Sequence, residues 1–201
     1  MEQLKKELIA KYIVPLFGAV DALNLQITEQ LCGISKLRNA GKYEQLEAPG
    51  SFEEARVFFS IESMVHSYFY CPHKLVRKGT RIWKKLSFIL FTSCLLEKEE
   101  RSDYIQMLEP GKVLFFSYQD LLTLMDAFPS ISSYFGHVFN SNESYYHHRN
   151  ILLNKPPLQR VREFESENTL FTKVASKEIK ALHVGLTRQG YNLQLRKLRK
   201  K

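Results

Sequence analysis

Cysteine is scarce in this 201-residue chain: Cys32, Cys71 and Cys94 are all there is. An odd number at wide spacings excludes a secreted disulfide scaffold. It also falls short of the four thiolates that an iron–sulfur cluster requires. Long apolar runs are missing too, and none reaches the roughly 18 residues that a membrane span needs. The opening Met1-Glu2-Gln3-Leu4-Lys5-Lys6 lacks the continuous apolar segment of a leader. These absences predict a soluble, cytoplasmic protein with no membrane partner. No G-x-S-x-G, P-loop or G-x-G-x-x-G is present. Cys71-Pro72-His73 with His66 lacks a second pair of ligands, which favours a surface turn over a metal site. His147 and His148 are adjacent on a predicted helix and point about 100° apart, so they cannot chelate from one face. No closely spaced His-x-His exists, which argues against a cupin-like metalloenzyme. An enzyme, a metal and a cofactor are therefore not expected.

What the chain has is positive charge in one place. There are 29 Lys and Arg against 21 Asp and Glu, a net charge of +8. Residues 155–201 hold twelve basic residues and four acids, so the first 154 residues are neutral and the last quarter carries the whole excess. Polyanion binding needs such a local density, and a neutral body with a basic module is its footprint. The plainer reading is a solubilising tail, since Arg196, Lys197, Arg199, Lys200 and Lys201 crowd the last six positions.

Periodicity organises the rest. Leu4, Leu8, Ile9, Tyr12 and Ile13 predict a helix ended by Pro15, and Thr28 is expected to cap a second short helix. Residues 33–50 read as polar and turn-rich, ending in Ala48-Pro49-Gly50. From about 55 to 118 the texture is β. Residues 57–61, 64–70, 74–85, 104–108 and 113–116 are short aromatic and β-branched strands around Pro/Gly turns, which suggests a barrel or sandwich. Phe88–Leu96 is continuously apolar and fits either a buried strand or a short helix. Tyr118, Leu121, Leu122 and Met125 mark a helix that Pro129 breaks. A long helix follows over 130–154, with Ile131, Tyr134 or Phe135, Val138, Tyr145, His148 and Leu152 in a stripe. That stripe suits a dimer seam or packing on the helix's own barrel. Asn154-Lys155-Pro156-Pro157 is a stiff break, and helices near 158–166, 176–183 and 187–199 follow it.

This order, with its local text, resembles the Crp/Fnr superfamily of bacterial regulators, and most closely its degenerate Bacteroidetes-type members. Ala48-Pro49-Gly50, Val57–Tyr68, Arg101-Ser102-Asp103-Tyr104 through Val113–Leu121, and Asp126-Ala127-Phe128-Pro129 carry the resemblance. It implies an α+β fold: a cyclic-nucleotide-binding-like β-roll over 1–129, a dimerisation helix over 130–154 through which a homodimer forms, and a small (winged) helix-turn-helix module over 155–201. It also places Arg101 and Ser102 in a vestigial phosphate cassette. Family members that bind nucleotide carry a Gly-Glu pair about eleven residues before the arginine; here Leu90-Phe91 stand there. The ribose contact is lost and bulk replaces the backbone approach to phosphate. Glu97, Glu99 and Glu100 stand by to pair with Arg101 and repel an anion. Cyclic AMP is therefore not expected to bind, and the cavity is either filled or takes an unidentified small-molecule effector.

A helix-turn-helix wants a small residue, Gly four positions on and an apolar residue six beyond that. Ala181, Gly185 and Tyr191 supply it. Thr187 would cap the recognition helix, and Arg188, Gln189, Asn192, Gln194, Arg196 and Lys197 would face DNA. Gly190 inside that helix weakens the pattern by about 1 kcal/mol relative to Ala. The chain thus reads as a DNA-binding transcription regulator with a degenerate sensor domain. The rival is a ligand-binding or protein-interaction module that keeps the roll but no longer reads DNA.

Overall fold

A computed structural model describes residues 1–18, 21–73 and 75–199. Lys74, Lys200 and Lys201, parts of the strand and tail expectations above, lie outside the described residues.

The chain opens with α1 (Glu2–Leu8), continued by a π-helical turn over Ile9–Ile13 and a 3-10 turn over Val14–Phe17. Pro15 stands in the first turn of that last piece, where its missing N–H costs nothing. Next comes α2 (Asp21–Ile34). Thr28 does not cap it: the helix begins seven residues earlier, and the Thr28 hydroxyl donates back to the Asn24 carbonyl at 2.7 Å. The Leu23–Leu31 spacing carries the helix through the position where a cap was read.

Eight strands follow: β1 (Lys36–Ala40), β2 (Gln45–Glu47), β3 (Arg56–Ser60), β4 (Val65–Cys71), β5 (Val76–Trp83), β6 (Ser87–Ile89), β7 (Asp103–Met107) and β8 (Gly111–Ser117). They form two antiparallel four-stranded sheets, ordered β1-β8-β3-β6 and β2-β7-β4-β5. The polar stretch over 33–50 thus contains two strands that hydrophobicity did not mark. They lie at the sheet edges, where one face stays wet and apolar alternation is not required. Phe88–Leu96 resolves into both of its candidate forms: β6, then the short helix α3 (Thr92–Leu96). In and beside the strands, Phe58, Phe59, Val65, Ile89, Leu90, Ile105 and Met107 are fully buried.

Ser117 caps α4 (Tyr118–Ala127) in a reciprocal capping box with Asp120. Pro129 then opens α5 (Pro129–Asn154), 26 residues long. Its aromatic stripe turns inward. Phe135 lies 4.9 Å from Phe88 and 6.4 Å from Phe17 between ring centroids, and Ile131 and Phe135 are fully buried against the roll. Of the two readings of the stripe, packing on its own barrel is the one observed. Ser133, His137, Asn140, Ser144, His147 and Ile151 are exposed at alternating four- and three-residue steps, so the heptad-spaced face left to solvent is mostly polar.

Beyond Lys155-Pro156 come α6 (Pro157–Glu167), α7 (Thr169–Val174), α8 (Lys177–His183) and α9 (Arg188–Arg199). No strand occurs among the described residues after β8, so the expected wing is not formed. Val161, Phe164, Phe171, Ala181, Val184 and Tyr191 build a second core, and Met64 and Leu108 of the roll belong to it. No helix among the described residues is long and apolar enough to cross a membrane.

Candidate nucleic-acid interface

The α8–turn–α9 unit has the spacing read from sequence. Ala181 and Tyr191 are buried, which lets the two helices cross closely. Gly185 sits between them at φ +64°, in the left-handed region that glycine enters without a Cβ penalty. The Leu186 N–H donates to the Ala181 carbonyl at 3.0 Å and closes the end of α8. At the other end, Ser176 caps α8 by accepting from the Ile179 N–H at 3.2 Å. Thr187 accepts from the Gly190 N–H at 3.0 Å, so it caps α9 as expected. Gly190 is therefore in the first turn of α9. A glycine there costs less than one in a helix interior, and the weakness assigned to it is smaller than the sequence implied.

Thr187, Arg188, Gln189, Arg196 and Lys197 are exposed, and Asn192 and Gln194 are half-buried. Tyr191 points inward, with Leu195 and Leu198 packed on the module core. Leu193, more than half exposed on the outer side, was missed, because an apolar residue in an amphipathic pattern reads as core.

The charge of the module divides in two. Arg160 donates to the Val184 carbonyl at 2.8 Å and to the Lys155 carbonyl at 3.2 Å, which braces the turn. Lys155 pairs with Glu163 at 2.5 Å and Lys180 with Glu165 at 3.8 Å. The Tyr191 hydroxyl donates to Glu165, and that carboxylate and burial raise the phenol's pKa. By contrast, Arg188, Arg196, Lys197 and Arg199 enter no ion pair among the described residues. Glu163 and Glu165 are thus paired inside the module, Glu167 and Glu178 are exposed, and the cations of α9 face solvent.

The arginine expected in a phosphate cassette is paired within the chain. Arg101 is 5 % exposed. Its guanidinium lies 3.2 Å from the Glu47 carboxylate on β2 and donates to the Ala48 carbonyl. Its backbone bridges Gly50, the last residue of the Ala-Pro-Gly turn. The partner is thus Glu47 and not Glu97, Glu99 or Glu100, which remain exposed on the loop after α3. Burial pushes the Glu47 carboxyl up to about 7, against the pull of Arg101 and Arg56. Leu90 and Phe91, at the Gly-Glu positions, are buried, and Phe91 stacks edge-on against Trp83 at 5.7 Å. Ser102 is exposed and donates to Asp103 at 3.2 Å. The residues that would grip a cyclic phosphate are therefore not brought together around a free cation.

The histidines and cysteines do not assemble either. No group of three or more metal-ligating side chains exists among the described residues. His147 and His148 are exposed, the latter 2.9 Å from Glu167. His66, read as part of a surface turn's surroundings, is instead fully buried on β4.

No protein-family model matches the chain, and no curated protein matches it in sequence. Its fold, however, is that of solved Crp/Fnr-type regulators. A putative transcriptional regulator of the crp/fnr family from Eubacterium rectale superposes with a TM-score of 0.72 at 13 % identity, over 89 % of this chain and 85 % of that one. The regulator CLP of Xanthomonas campestris, described as c-di-GMP responsive, gives 0.71 at 15 % identity, over 88 % and 92 %. FixK2 of Bradyrhizobium japonicum gives 0.68 at 13 % identity, over 83 % and 85 %. The resemblance inferred from the order of local motifs is thus met by the architecture of roll, long helix and helix-turn-helix.

Proposed function

We propose that this chain is a cytoplasmic, DNA-binding transcription regulator of Crp/Fnr type whose sensor roll no longer takes a cyclic nucleotide. The observation that carries the reading is α9: a capped helix, set by Gly185 at the turn, with its unpaired cations outward while Glu163 and Glu165 pair with Lys155 and Lys180 away from it. Arg188, Arg196 and Lys197 would neutralise phosphates, and Gln189, Asn192 and Gln194 would reach base edges. Thr187 would turn the N-terminus of α9 toward the backbone. The functional division would run 1–129, 130–154 and 155–201. A homodimer would form through 130–154, using the exposed Ser133, His137, Asn140, Ser144, His147 and Ile151 face in place of the aromatic stripe. Two copies of α9 would then meet successive major grooves of a palindrome. Regulation would be a population shift in the angle of α5, biased by whatever the roll binds.

The test is a fluorescence-anisotropy titration of the full chain against mixed duplex DNA at several salt concentrations. Binding whose log K falls by about 0.9 per neutralised phosphate with log salt supports the reading. Weak, salt-independent binding favours the interaction module. Calorimetry with cyclic AMP and cyclic GMP should give no heat of binding, because Arg101 is paired with Glu47 and Phe91 stands where the ribose-binding carboxylate would be. Micromolar affinity for either would overturn that part.

A further inference from the structure

We propose that the cleft where β5, α5 and the α6–α7 junction meet binds a small organic anion with an apolar body, held by Arg81. Three observations point there. Arg81 is 8 % exposed and lines a cleft of about 530 Å³ that does not include Arg101. Its Nε and Nη1 have no acceptor among the described residues. Trp83, two residues along the same strand face and also lining the cleft, has its Nε1–H buried without an acceptor. Three donor atoms are thus buried in one wall with nothing to donate to. Buried donors of this kind are rare, and a charged one is the most costly.

The surroundings hold the guanidinium without neutralising it. Its carbon lies 4.8 Å from the Tyr145 ring centroid, 5.4 Å from Trp83 and 5.7 Å from Tyr146. Rings of this kind attract a guanidinium through their faces, and its planar fork is the group that matches a carboxylate or phosphate. Arg81 makes no ion pair among the described residues; the Tyr146 hydroxyl, within hydrogen-bonding reach, and then Tyr145 and Glu143 favour its charge against the cost of burial. The other walls divide cleanly. Met64, Phe88, Val138 and Phe171 are apolar, Ser141 and Asn168 are polar, and Lys84 and Glu167 bring one charge of each sign to the lining. An apolar cleft with one convergent set of donors is the ordinary form of a small-molecule site. Carboxylate and phosphate share the chemistry that these donors recognise.

Ligand binding here is measured without DNA, so it stands or falls apart from the DNA reading. Trp83 is the single tryptophan of the chain, and its emission reports on the site directly. Hexanoate and hexyl phosphate are titrated against the full chain, with hexanamide as the neutral counterpart. A saturable change in Trp83 emission with either anion, and none with hexanamide, is expected; which anion acts at lower concentration identifies the headgroup. Arg81→Met should weaken the response about tenfold or more, the loss of one charge-assisted contact. Ser141→Phe, at an exposed position on the cleft wall, should abolish it by filling space and leave the thermal midpoint unchanged. If Arg81→Met does not fold, Ser141→Phe decides. No saturable response to either anion, an equal response to hexanamide, or unchanged affinity in a folded variant overturns the proposal.

Discussion

His183 Nε2, at the end of α8, lies 3.3 Å from His66 Nδ1 on β4. Helix α8 is therefore joined to the roll through two buried rings. His66 also meets the Gln106 amide oxygen at 3.0 Å through Nε2, and that bond makes Nε2 the donor and Nδ1 the acceptor. His183 Nε2–H then donates to His66, and its Nδ1 is buried without a partner. Phe164 and Phe171 of the module enclose the His183 ring. Both histidines are held neutral: burial takes His66 down to about 4 and His183 well below its ordinary value, with His66 and Arg149 repelling a proton on the latter.

This contact predicts a hidden pH balance. The unfolded chain protonates its histidines near pH 6.5, while His66 in the fold waits until about 4. Between those values the unfolded state binds more protons, so stability falls with acid, by about 3 kcal/mol at pH 4 for His66. Glu47 acts in the opposite sense over nearly the same window. Its folded pKa is raised from 4.5 to about 7, so its stabilisation is complete below 4.5 and is lost as pH rises through 7. The two offset each other in the native chain. In urea unfolding at pH 7 and pH 5, His66→Gln should make the protein more stable at the lower pH relative to the higher, and Glu47→Gln should make it less so. Identical pH profiles for the two variants would refute the opposition.

Gly79 on β5 is the floor of the same contact. A Cβ there would lie 2.7 Å from the His183 ring, closer than carbon atoms approach. The Gly79 carbonyl also accepts from Arg149 on α5, so strand, long helix and module meet at one residue. Gly79→Ala should push α8 off the roll and cost about 1–3 kcal/mol of overpacking. Hydrogen exchange should quicken in α8 and β5 before it does in β3 and β8. Equal protection in all four would mean that α8 is not seated on Gly79 in solution.

The helix-turn-helix was legible because its determinants are local. Ala181, Gly185 and Tyr191 lie within eleven residues, and each has one steric job. The inward strands were legible for a similar reason, since Val57–Ile61 and Val65–Tyr70 are rich in the aromatic and β-branched residues that strands favour. What stayed hidden depends on register. Glu47 meets Arg101 because β2 pairs with β7, and nothing in the text of an edge strand announces that pairing. The His66–His183 contact spans 117 residues. An isolated glycine inside the β5 pattern was the one available signal for it, since such a glycine marks close approach of another element. The aromatic stripe of α5 had the right period for either a seam or a core, and periodicity does not say which body it faces.

The Arg101–Glu47 pair lends itself to a double-mutant cycle. Its guanidinium is buried with Glu47, so removing one partner strands the other. Glu47→Ala should cost about 3–5 kcal/mol, and the double variant Glu47→Ala with Arg101→Met should recover part of that. A thermal melt of the two singles and the double closes the cycle. Additive losses would mean that the 3.2 Å pair carries no coupling and that Arg101 is held by the Ala48 carbonyl alone.

On α9, position separates anchoring from reading. Arg196 and Lys197 are exposed in the last turns of the helix and should contact phosphate, whereas Gln189 lies in the first turn, beside the Thr187 cap, where base edges are reached. Arg196→Ala or Lys197→Ala should weaken binding to every duplex alike and lower the salt slope by about 1. Gln189→Ala should leave that slope intact and relax preference at one base pair, by about 1–3 kcal/mol on the preferred duplex. Anisotropy titrations on a selected duplex and a scrambled one, at two salt concentrations, distinguish the two behaviours. If Gln189→Ala lowered affinity for both duplexes equally, α9 would be binding phosphate along its whole length. The module would then be a sequence-blind clamp.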